Sequence, residues 1–572
     1  MNSHTLVIRG GTVIDGSGGA PRQADVAIDN GKITEVGKVS GRGHREVDAA
    51  GRIVAPGFVD IHTHYDGQAA WDKHLAPSSW HGVTTAVMGN CGVGFAPVYV
   101  RNRDRLIELM EGVEDIPGTA LHEGIPWQWE TFPQYLDFLE SLPRDIDLGA
   151  QAPHAAIRVH AMGERAVARQ AATPDEIERM AQATREAIEA GALGFSTSRT
   201  VNHRSISGEH IPTLRAEADE LLAIARAMGK AGAGVMQVVS DRLDRADEMD
   251  LLEQVAQQSG RPMSISLAQS NRKPDIWKPF LERLTEANAR GLQMRAQVAA
   301  RAIGLMLGLE ATLNPFMYSP AYQAIAHLPL AERVARMRDA SLRQAIIQQT
   351  TVDPKGLLGS NMLDQYHAIF RLGNPPDYEP AASTSALAVA QREGRAPAEV
   401  VYDWLLENDG HALLYAPTLN YTEGNLDVVR TMLTHPHTVP GLSDGGAHVG
   451  TICDVSFPTT LLQWWGRDRP QGRIPLEFLI ARQSRGTAMA VGLADRGLIA
   501  PGYKADINVI DMDALRLHPP EMAYDLPAGG RRMLQRADGY RHTFVSGEEI
   551  MADGQATGAM PGRLVRGGQS AP

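Results

Sequence analysis

IVAPGFVDIHTHYD, residues 53–66, is the stretch of the sequence that decides the fold class. Its apolar run Phe58 to Ile61 predicts a short buried strand, and His62 and His64 follow within three residues. Because side chains alternate along an extended chain, the two imidazoles point to the same side. A His-x-His pair can bind Zn²⁺ or a similar ion, although such a pair is more often only hydrogen-bonded. The position at a strand end favours a metal site.

The composition is that of a large, acidic and globular chain. Its 572 residues are 43% hydrophobic and 21% charged, which is enough for a substantial core. The net charge of -12 argues against a nucleic-acid surface and against an anionic membrane surface, so a small molecule is the expected partner. The sequence has two cysteines, no recognisable export signal and no apolar run of about 20 residues, so we expect a cytoplasmic protein without a membrane anchor. The sequence leaves open whether the chain forms a homo-oligomer.

Both ends of the chain have the pattern of short β-strands. Thr5 to Ile14 and Lys32 to Val36 are rich in β-branched residues and lie beside turn signals such as Asn30-Gly31. The same pattern returns at Ala505 to Ile510 and at Thr543 to Ser546. We therefore predict one β-domain that the two termini build together.

The long middle of the chain alternates apolar runs with helical segments, which is typical of a parallel sheet or barrel. In one unit, Thr173 to Glu176 supplies an N-cap, a proline and a capping-box glutamate, and Ala192 to Ser196 reads as the next strand. Further helices are predicted at 215–230, 249–259, 278–290 and 332–349. Arg101 to Trp129 and Gly359 to Ala382 look like insertions, which are either lids or surface decoration.

Several ordered motifs carry a family resemblance. LVIRGGTVIDGSG, GRIVAPGFVDIHTHYD, GLSDGG and GLADRGLIAPGYKADINVID together resemble the amidohydrolase superfamily. Within it, GNCGVGFAP at Gly89 to Pro97 and GALGFSTSR at Gly191 to Arg199 are similar to the N-acyl-D-amino-acid deacylase (D-aminoacylase-like) branch. The resemblance extends from Leu6 to about Asp513.

The resemblance implies an α/β fold, namely a metal-dependent (β/α)8 TIM barrel with a β-sandwich formed by both termini. This agrees with the split β-domain predicted from the strand pattern. The expected boundaries are 1–56 for the first part of the sandwich and 57–490 for the barrel, with insertions near 101–129 and 359–382. Residues 491–572 are expected to form the second part of the sandwich and a C-terminal tail.

The same resemblance implies a metal site. His62 and His64 would be the strand-1 ligands, Cys91 the thiolate that shares the metal, and Asp444 the strand-8 carboxylate. A metal lowers the pKa of its bound water toward about 7, and a neighbouring carboxylate can take the proton and return it to a leaving amine. Two alternatives stay open: Cys91 can be an inert buried cysteine, and Ser443 to Gly446 can form a simple turn.

Two features of the resembling amidohydrolases are missing from the sequence. No lysine occurs between Lys73 and Lys230, so a carbamylated lysine that bridges two metals has no counterpart. The deacylase branch uses histidines after strands 5 and 6, whereas this chain has Gln237 to Asp241 and Ile265 to Gln269 at those places. We therefore expect one tightly bound metal ion per chain, zinc before any other divalent metal.

The substrate-binding residues are less well defined by the sequence. The lysine that reads a substrate carboxylate in the resembling deacylases is replaced by Gln269. Arg199 and Arg204 flank His203 after strand 4, and guanidinium groups bind carboxylates well. His154, which ends the strand-like run Leu148 to Ala152, is a further candidate for substrate contact, and His203 could instead replace a missing metal ligand. A solvated loop and a hydrogen-bonded structural histidine are the structural alternatives for these four residues.

The sequence thus predicts a metal-dependent hydrolase of C–N bonds other than peptide bonds, with an N-acyl amino acid as a candidate substrate. Metal-bound hydroxide would attack the amide carbonyl, with Asp444 as general base and acid. A cyclic amide or lactone hydrolase is the alternative within the same chemistry. The alternative from another class is a metal-free scaffold or binding protein on the same fold, which the missing strand-5 and strand-6 histidines motivate.

Overall fold

The structure is a computed structural model that describes residues 3–349 and 362–572, so residues 359–361 of the second predicted insertion lie outside the described part. Strands from both ends of the chain form one sheet, in which Ile53–Pro56 pairs in parallel with Ser3–Val13 and antiparallel with Ile507–Ile510. The strands of this sheet are β1 (Ser3–Val13), β2 (Arg22–Asp29), β3 (Lys32–Gly37), β4 (Arg42–Asp48), β5 (Ile53–Pro56), β17 (Ile507–Ile510), β22 (Tyr540–Val545), β23 (Glu548–Ala552) and β24 (Gln555–Ala556). The prediction of a sheet-rich domain built by both termini is confirmed.

A second sheet in the described residues consists of eight parallel strands that follow one another in chain order. They are β6 (Phe58–Asp60), β7 (Val83–Met88), β8 (Asp147–Pro153), β9 (Gly194–Arg199), β10 (Val235–Ser240), β11 (Met263–Leu267), β12 (Met294–Val298) and β16 (Thr438–Pro440). Every residue of β7 and β8 is buried, as expected for strands that are covered on both faces. The predicted (β/α)8 barrel is confirmed.

The barrel closes just beyond the ends of β6 and β16. Thr63 pairs in parallel with Gly445, the His64 amide donates to the Gly445 carbonyl at 2.8 Å, and the Asp444 amide donates to the His62 carbonyl at 3.1 Å. Residues separated by almost the whole length of the barrel domain therefore become neighbours. This closure brings the two predicted histidines beside the predicted carboxylate.

The remaining strands form smaller sheets outside the barrel. One three-stranded sheet lies in the long segment between β12 and β16, and two strand pairs lie near the C-terminus. These strands are β13 (Ile303–Leu307), β14 (Phe370–Arg371), β15 (Leu414–Leu419), β18 (Arg516–Leu517), β19 (Glu521–Leu526), β20 (Gly530–Leu534) and β21 (Ala537–Asp538).

The helices surround the barrel and fill its insertions. They are α1 (Arg103–Glu114), α2 (Gly118–Gly124), α3 (Phe132–Glu140), α4 (His154–Met162), α5 (Glu164–Val167), α6 (Pro174–Glu189), α7 (Ala218–Ala231), α8 (Ala246–Ser259), α9 (Trp277–Ala289), α10 (Pro320–Gln323), α11 (Leu330–Met337), α12 (Ala340–Gln348), α13 (Ala386–Glu393), α14 (Pro397–Leu405), α15 (Asp427–Thr434), α16 (Phe457–Thr460), α17 (Leu476–Ala481) and α18 (Thr487–Ala490). Among the described residues, none of these helices combines the length and apolar character needed to cross a bilayer.

Local signals in the sequence predict one helix correctly and another incorrectly. The predicted capping box of α6 is confirmed, because the Thr173 hydroxyl accepts from the Glu176 amide and the Glu176 carboxylate accepts from the Thr173 amide. The single helix predicted at 332–349 is wrong, since the chain forms α11 and α12 instead. Asp339 lies between them in an extended conformation and caps α12 by accepting from the Leu342 amide.

The first predicted insertion is largely helical. Residues 101–129 contain α1 and α2, and α1 buries Leu106, Met110 and Val113 against the body of the protein. Glu114, the last residue of α1, is 1% exposed. The packing of α1 therefore holds a carboxylate from the insertion in the protein interior.

Candidate active site

Four predicted residues meet where the carboxyl ends of β6, β7 and β16 approach one another. One potential ligand atom from each of His62, His64 and Cys91 lies within 4.8 Å of the other two. Asp444 Oδ1 is 3.3 Å from His62 Nε2 and 3.6 Å from His64 Nε2. In a parallel barrel this edge is where catalytic groups are found.

The backbone at this cluster is held in an unusual conformation. Cys91, Asp444 and His448 have positive φ angles of 56°, 51° and 50°, which cost non-glycine residues about 1 to 2 kcal/mol each. The Cys91 amide is fixed by donating to Gln237 Oε1 at 2.9 Å. Gly89, with φ of 79°, leads into this turn, and a Cβ there would lie 2.2 Å from the Gln151 carbonyl oxygen. Such left-handed residues concentrate at functional sites.

His62 is oriented by a hydrogen-bond relay from the barrel interior. Its Nδ1 contacts Gln297 Oε1 at 2.6 Å, and Gln297 Nε2 donates to Ser264 Oγ at 2.9 Å. Nδ1 therefore carries the proton, which leaves the Nε2 lone pair facing Cys91 and Asp444. Burial lowers the pKa of His62 to about 4, against the opposing charge of Asp444, so the ring is in the neutral form that binds metals.

Glu114 and His448 also reach the cluster, and neither is predicted from the sequence. Glu114 Oε1 is 3.4 Å from His64 Nδ1, and Glu114 Oε2 is 3.5 Å from His448 Nε2. The His448 amide also donates to the Glu114 carbonyl. The spacing of His448 four residues after Asp444 is a weak signal, and in the sequence Glu114 is one of many charges in an insertion.

The charges at the cluster favour a cation. Burial opposes ionisation of Asp444, but the neighbouring His64 and His448 hold its pKa well below the usual range. Burial raises the pKa of the Cys91 thiol to about 12, with His64 opposing the shift. A divalent ion deprotonates a thiol that coordinates it, so Cys91 would join the site as thiolate.

Unpartnered atoms test whether these residues fit a metal. Across residues 3–349 and 362–572, His64 Nδ1, His64 Nε2 and Glu114 Oε1 are buried without a hydrogen-bond partner. Buried polar groups are normally hydrogen-bonded, so orphaned imidazole and carboxylate atoms that face one another need another partner. Imidazole, thiolate and carboxylate are also the ligand types that Zn²⁺ takes in proteins. The residues present therefore fit a metal ion.

Of the predicted substrate-binding residues, His203 is the one whose pKa is affected by charged groups of the cluster. It is half-buried, and its Nδ1 contacts Ser198 Oγ at 2.8 Å. Burial lowers the pKa of His203 to about 3, and the charges of His448, His64 and Asp444 act on it as well.

The other three predicted substrate-binding residues are held by neighbouring groups. His154 is buried between Thr197 Oγ1 and Glu220 Oε1, each at 2.8 Å. Arg199 donates to both carboxylate oxygens of Glu248, at 2.7 and 3.0 Å. Arg204 donates to the carbonyls of Val201 and Gly208 in its own loop, both at 3.3 Å. No side-chain nitrogen of His154 and only part of each guanidinium therefore remains for a ligand.

Strand 5 of the barrel and the segment that follows strand 6 each contain a hydrogen-bonded amide. Gln237 accepts from the Cys91 amide and donates to Ser266 Oγ at 3.2 Å. Gln269 is buried and donates to both carboxylate oxygens of Glu423 at 3.0 Å. Neutral amides that are engaged in this way are poor ligands for a metal.

A parallel (β/α)8 barrel that gathers imidazole, thiol and carboxylate groups at the carboxyl ends of its strands defines a metal-binding barrel enzyme. The sequence profile described as "Amidohydrolase family" matches residues 45–551. The chain belongs to the amidohydrolase family.

Individual relatives are similar over nearly the whole chain. The D-aminoacylase of Alcaligenes xylosoxydans xylosoxydans is 26% identical, covering 98% of this chain and 97% of that protein. The N-acyl-D-aspartate deacylase of the same organism is 26% identical, covering 99% and 96%. The resemblance to the D-aminoacylase-like branch is confirmed.

Solved structures share the fold. A D-aminoacylase studied for its binuclear metal centre has a TM-score of 0.66 and 23% identity, covering 98% of this chain and all of that chain. The N-acyl-D-glutamate deacylase from Bordetella bronchiseptica, solved with zinc and a phosphonate inhibitor, has a TM-score of 0.65 and 21% identity, covering 99% of this chain and all of that chain.

Proposed function

We propose that the chain is a metal-dependent amidohydrolase that cleaves the C–N amide bond of N-acyl amino acids in the cytoplasm. The observation that carries the proposal is the convergence of His62, His64, Cys91 and Asp444 at the barrel mouth, with buried imidazole atoms that lack hydrogen-bond partners in the described residues. The names of the D-aminoacylase and the deacylases among its relatives support the substrate class.

Asp444 is the proposed catalytic base and acid. When bound, the metal would supply an activated water and polarise the substrate carbonyl. Asp444 is ionised because His64 and His448 stabilise its charge, and its side chain is 15% exposed, so water can reach it. The carboxylate would accept the water proton and pass it to the leaving amine. His203 is the proposed substrate contact, since it lies beside the cluster.

The proposed metal is one tightly held zinc ion per chain. His62, His64, Cys91 and Asp444 supply its ligands, and the strand-5 and strand-6 amides hold no second ion. The zinc present in the B. bronchiseptica deacylase supports the choice of metal. We expect about one equivalent of zinc after exhaustive dialysis, measured by elemental analysis. Two equivalents that survive dialysis would contradict this.

The test of the function is a hydrolysis panel on the metal-loaded chain. It contains N-acyl-D-amino acids, their L enantiomers, cyclic amides and lactones, and it includes chain from which the metal has been removed. We expect amine release from the N-acyl amino acids only with metal. Turnover confined to cyclic substrates would favour the cyclic amide or lactone alternative. No bound metal and no turnover would favour the scaffold.

Arg199 and Arg204 are not assigned to the substrate carboxylate in this proposal. Arg199→Met and Arg204→Met are each expected to change activity equally on an N-acyl amino acid and on its neutral amide analogue, because both guanidinium groups already bind within the protein. The measurement is kcat/KM on the two substrates. A loss on the acid alone, of roughly 2 to 5 kcal/mol, would show that the mutated arginine binds the carboxylate.

A further inference from the structure

Glu114 reaches the predicted metal ligand His64 from the first insertion and has no part in the mechanism above. Its Oε1 is 3.4 Å from His64 Nδ1. The other ring nitrogen of His64, Nε2, is 3.6 Å from Asp444 Oδ1 and so faces the cluster. The two nitrogens of His64 therefore face different partners, since Nε2 faces the group that would hold the metal and Nδ1 faces a carboxylate from α1.

His62 shows the same division between its two ring nitrogens. Its Nδ1 is 2.6 Å from Gln297 Oε1, and its Nε2 is 3.3 Å from Asp444 Oδ1. A histidine that binds a metal through one nitrogen commonly donates its other N–H to a carboxylate or carbonyl oxygen, which fixes the tautomer and the orientation of the ring. Gln297 supplies that oxygen for His62. The acceptor in the corresponding place for His64 is Glu114 Oε1.

Both atoms of the contact between His64 and Glu114 are without another partner. In the part of the chain that the structure describes, His64 Nδ1 and Glu114 Oε1 are buried atoms that make no hydrogen bond. Their distance of 3.4 Å exceeds the 2.8 Å between His154 Nε2 and Glu220 Oε1, which are also buried. A shift of about half an ångström would close the contact to ordinary hydrogen-bond length. Because buried polar atoms normally have partners, each of these two atoms is the available partner of the other.

The packing of the insertion keeps the carboxylate at this position. Glu114 is the last residue of α1 and is buried, as are Leu106 and Met110 on the same helix. The Glu114 carbonyl accepts from the His448 amide, and Glu114 Oε2 is 3.5 Å from His448 Nε2. A nearby divalent cation favours the ionised form of such a carboxyl group. The helix and the contacts with His448 therefore hold a hydrogen-bond acceptor against His64.

We propose that Glu114 is a positioning residue of the metal site, which accepts a hydrogen bond from His64 Nδ1 and so orients His64 Nε2 toward the ion. A carboxylate acceptor also raises the basicity of the imidazole as a ligand. The first insertion is then part of the metal site and more than surface decoration. The inference rests on the proposed metal site, but its readout is zinc affinity, whereas the proposed function is tested by hydrolysis.

The test measures zinc affinity and the stability of the metal-free chain on the same variants. Zinc affinity is measured by competition with a chromogenic chelator, and stability by urea unfolding after the metal has been removed. Glu114→Ala removes the acceptor, and Glu114→Gln keeps an uncharged oxygen at similar size. Glu108→Gln is the charge control, since Glu108 is on the same helix and its side chain is 40% exposed. Met110→Ala is the packing control, because Met110 is a buried residue of α1.

We expect Glu114→Ala to bind zinc at least about tenfold more weakly than the wild type, and Glu114→Gln at least about threefold more weakly. Glu108→Gln should keep the wild-type affinity. Met110→Ala should lower the urea midpoint of the metal-free chain and keep its zinc affinity, because the carboxylate is still present. A smaller loss in Glu114→Ala would overturn the inference. An equal loss in Met110→Ala would also overturn it, since helix packing would then be the cause.

Two further outcomes separate this inference from the proposals on which it rests. If Glu114→Ala does not fold, Glu114→Gln decides, and wild-type zinc affinity in that variant overturns the inference. A wild type that binds no zinc would overturn both the proposed metal site and the role of Glu114. A wild type that binds zinc, beside a weakened Glu114→Ala, but hydrolyses no substrate would contradict the proposed function alone.

Discussion

Asp444→Asn is expected to lower kcat by about 10²- to 10⁴-fold while the chain still binds metal. An amide cannot accept the proton that a carboxylate accepts, but its oxygen keeps the position of Oδ1, which is 3.3 Å from His62 Nε2. The loss should therefore fall on proton transfer more than on metal binding. The measurements are kcat on an N-acyl amino acid and the metal content of the same preparation.

Asp513→Asn is the matched control, because Asp513 is an exposed aspartate in the C-terminal region. It should keep the wild-type kcat. Activity of Asp444→Asn within a few-fold of the wild type, at full metal occupancy, would mean that another residue is the base. His203 would then be the next residue to replace, since it is the predicted substrate-binding residue whose pKa is affected by the cluster.

Glu220→Gln is expected to lower the free energy of unfolding by about 3 to 5 kcal/mol. Glu220, on α7, binds Arg158 on α4, and Arg158 is fully buried. Its Oε1 also accepts from His154 Nε2 at 2.8 Å. Removal of the negative charge leaves a buried guanidinium without its counter-ion, which costs far more than the loss of a surface pair.

Urea unfolding followed by circular dichroism measures this effect. Glu217→Gln is the control, because it makes the same change three residues earlier at an exposed position whose side chain caps no backbone group. We expect the control to unfold near the wild-type urea concentration and Glu220→Gln at a clearly lower one. Equal midpoints for the two variants would show that Arg158 is compensated by other groups.

Much of the fold follows from local patterns. The alternation around Phe58 to Ile61, the capping box at Thr173 and the β-pattern at both termini all predict elements that the structure contains. Such features are local because they depend on side-chain period and on hydrogen bonds within a few residues. The prediction of one helix at 332–349 is wrong because it also used only a local pattern. The apolar stripe continues across Asp339, but the chain turns there.

The sequence by itself determined the two histidines, the cysteine and the strand-8 aspartate as one set, through spacing and family resemblance. Only the tertiary structure placed Glu114 and His448 with them, because Glu114 comes from an insertion and its approach to His64 depends on how α1 packs. It also showed that Arg199 and His154 are engaged with Glu248 and Glu220. The physical reason is that ion pairing between distant segments depends on side-chain positions in space, which neither periodicity nor spacing along the chain encodes.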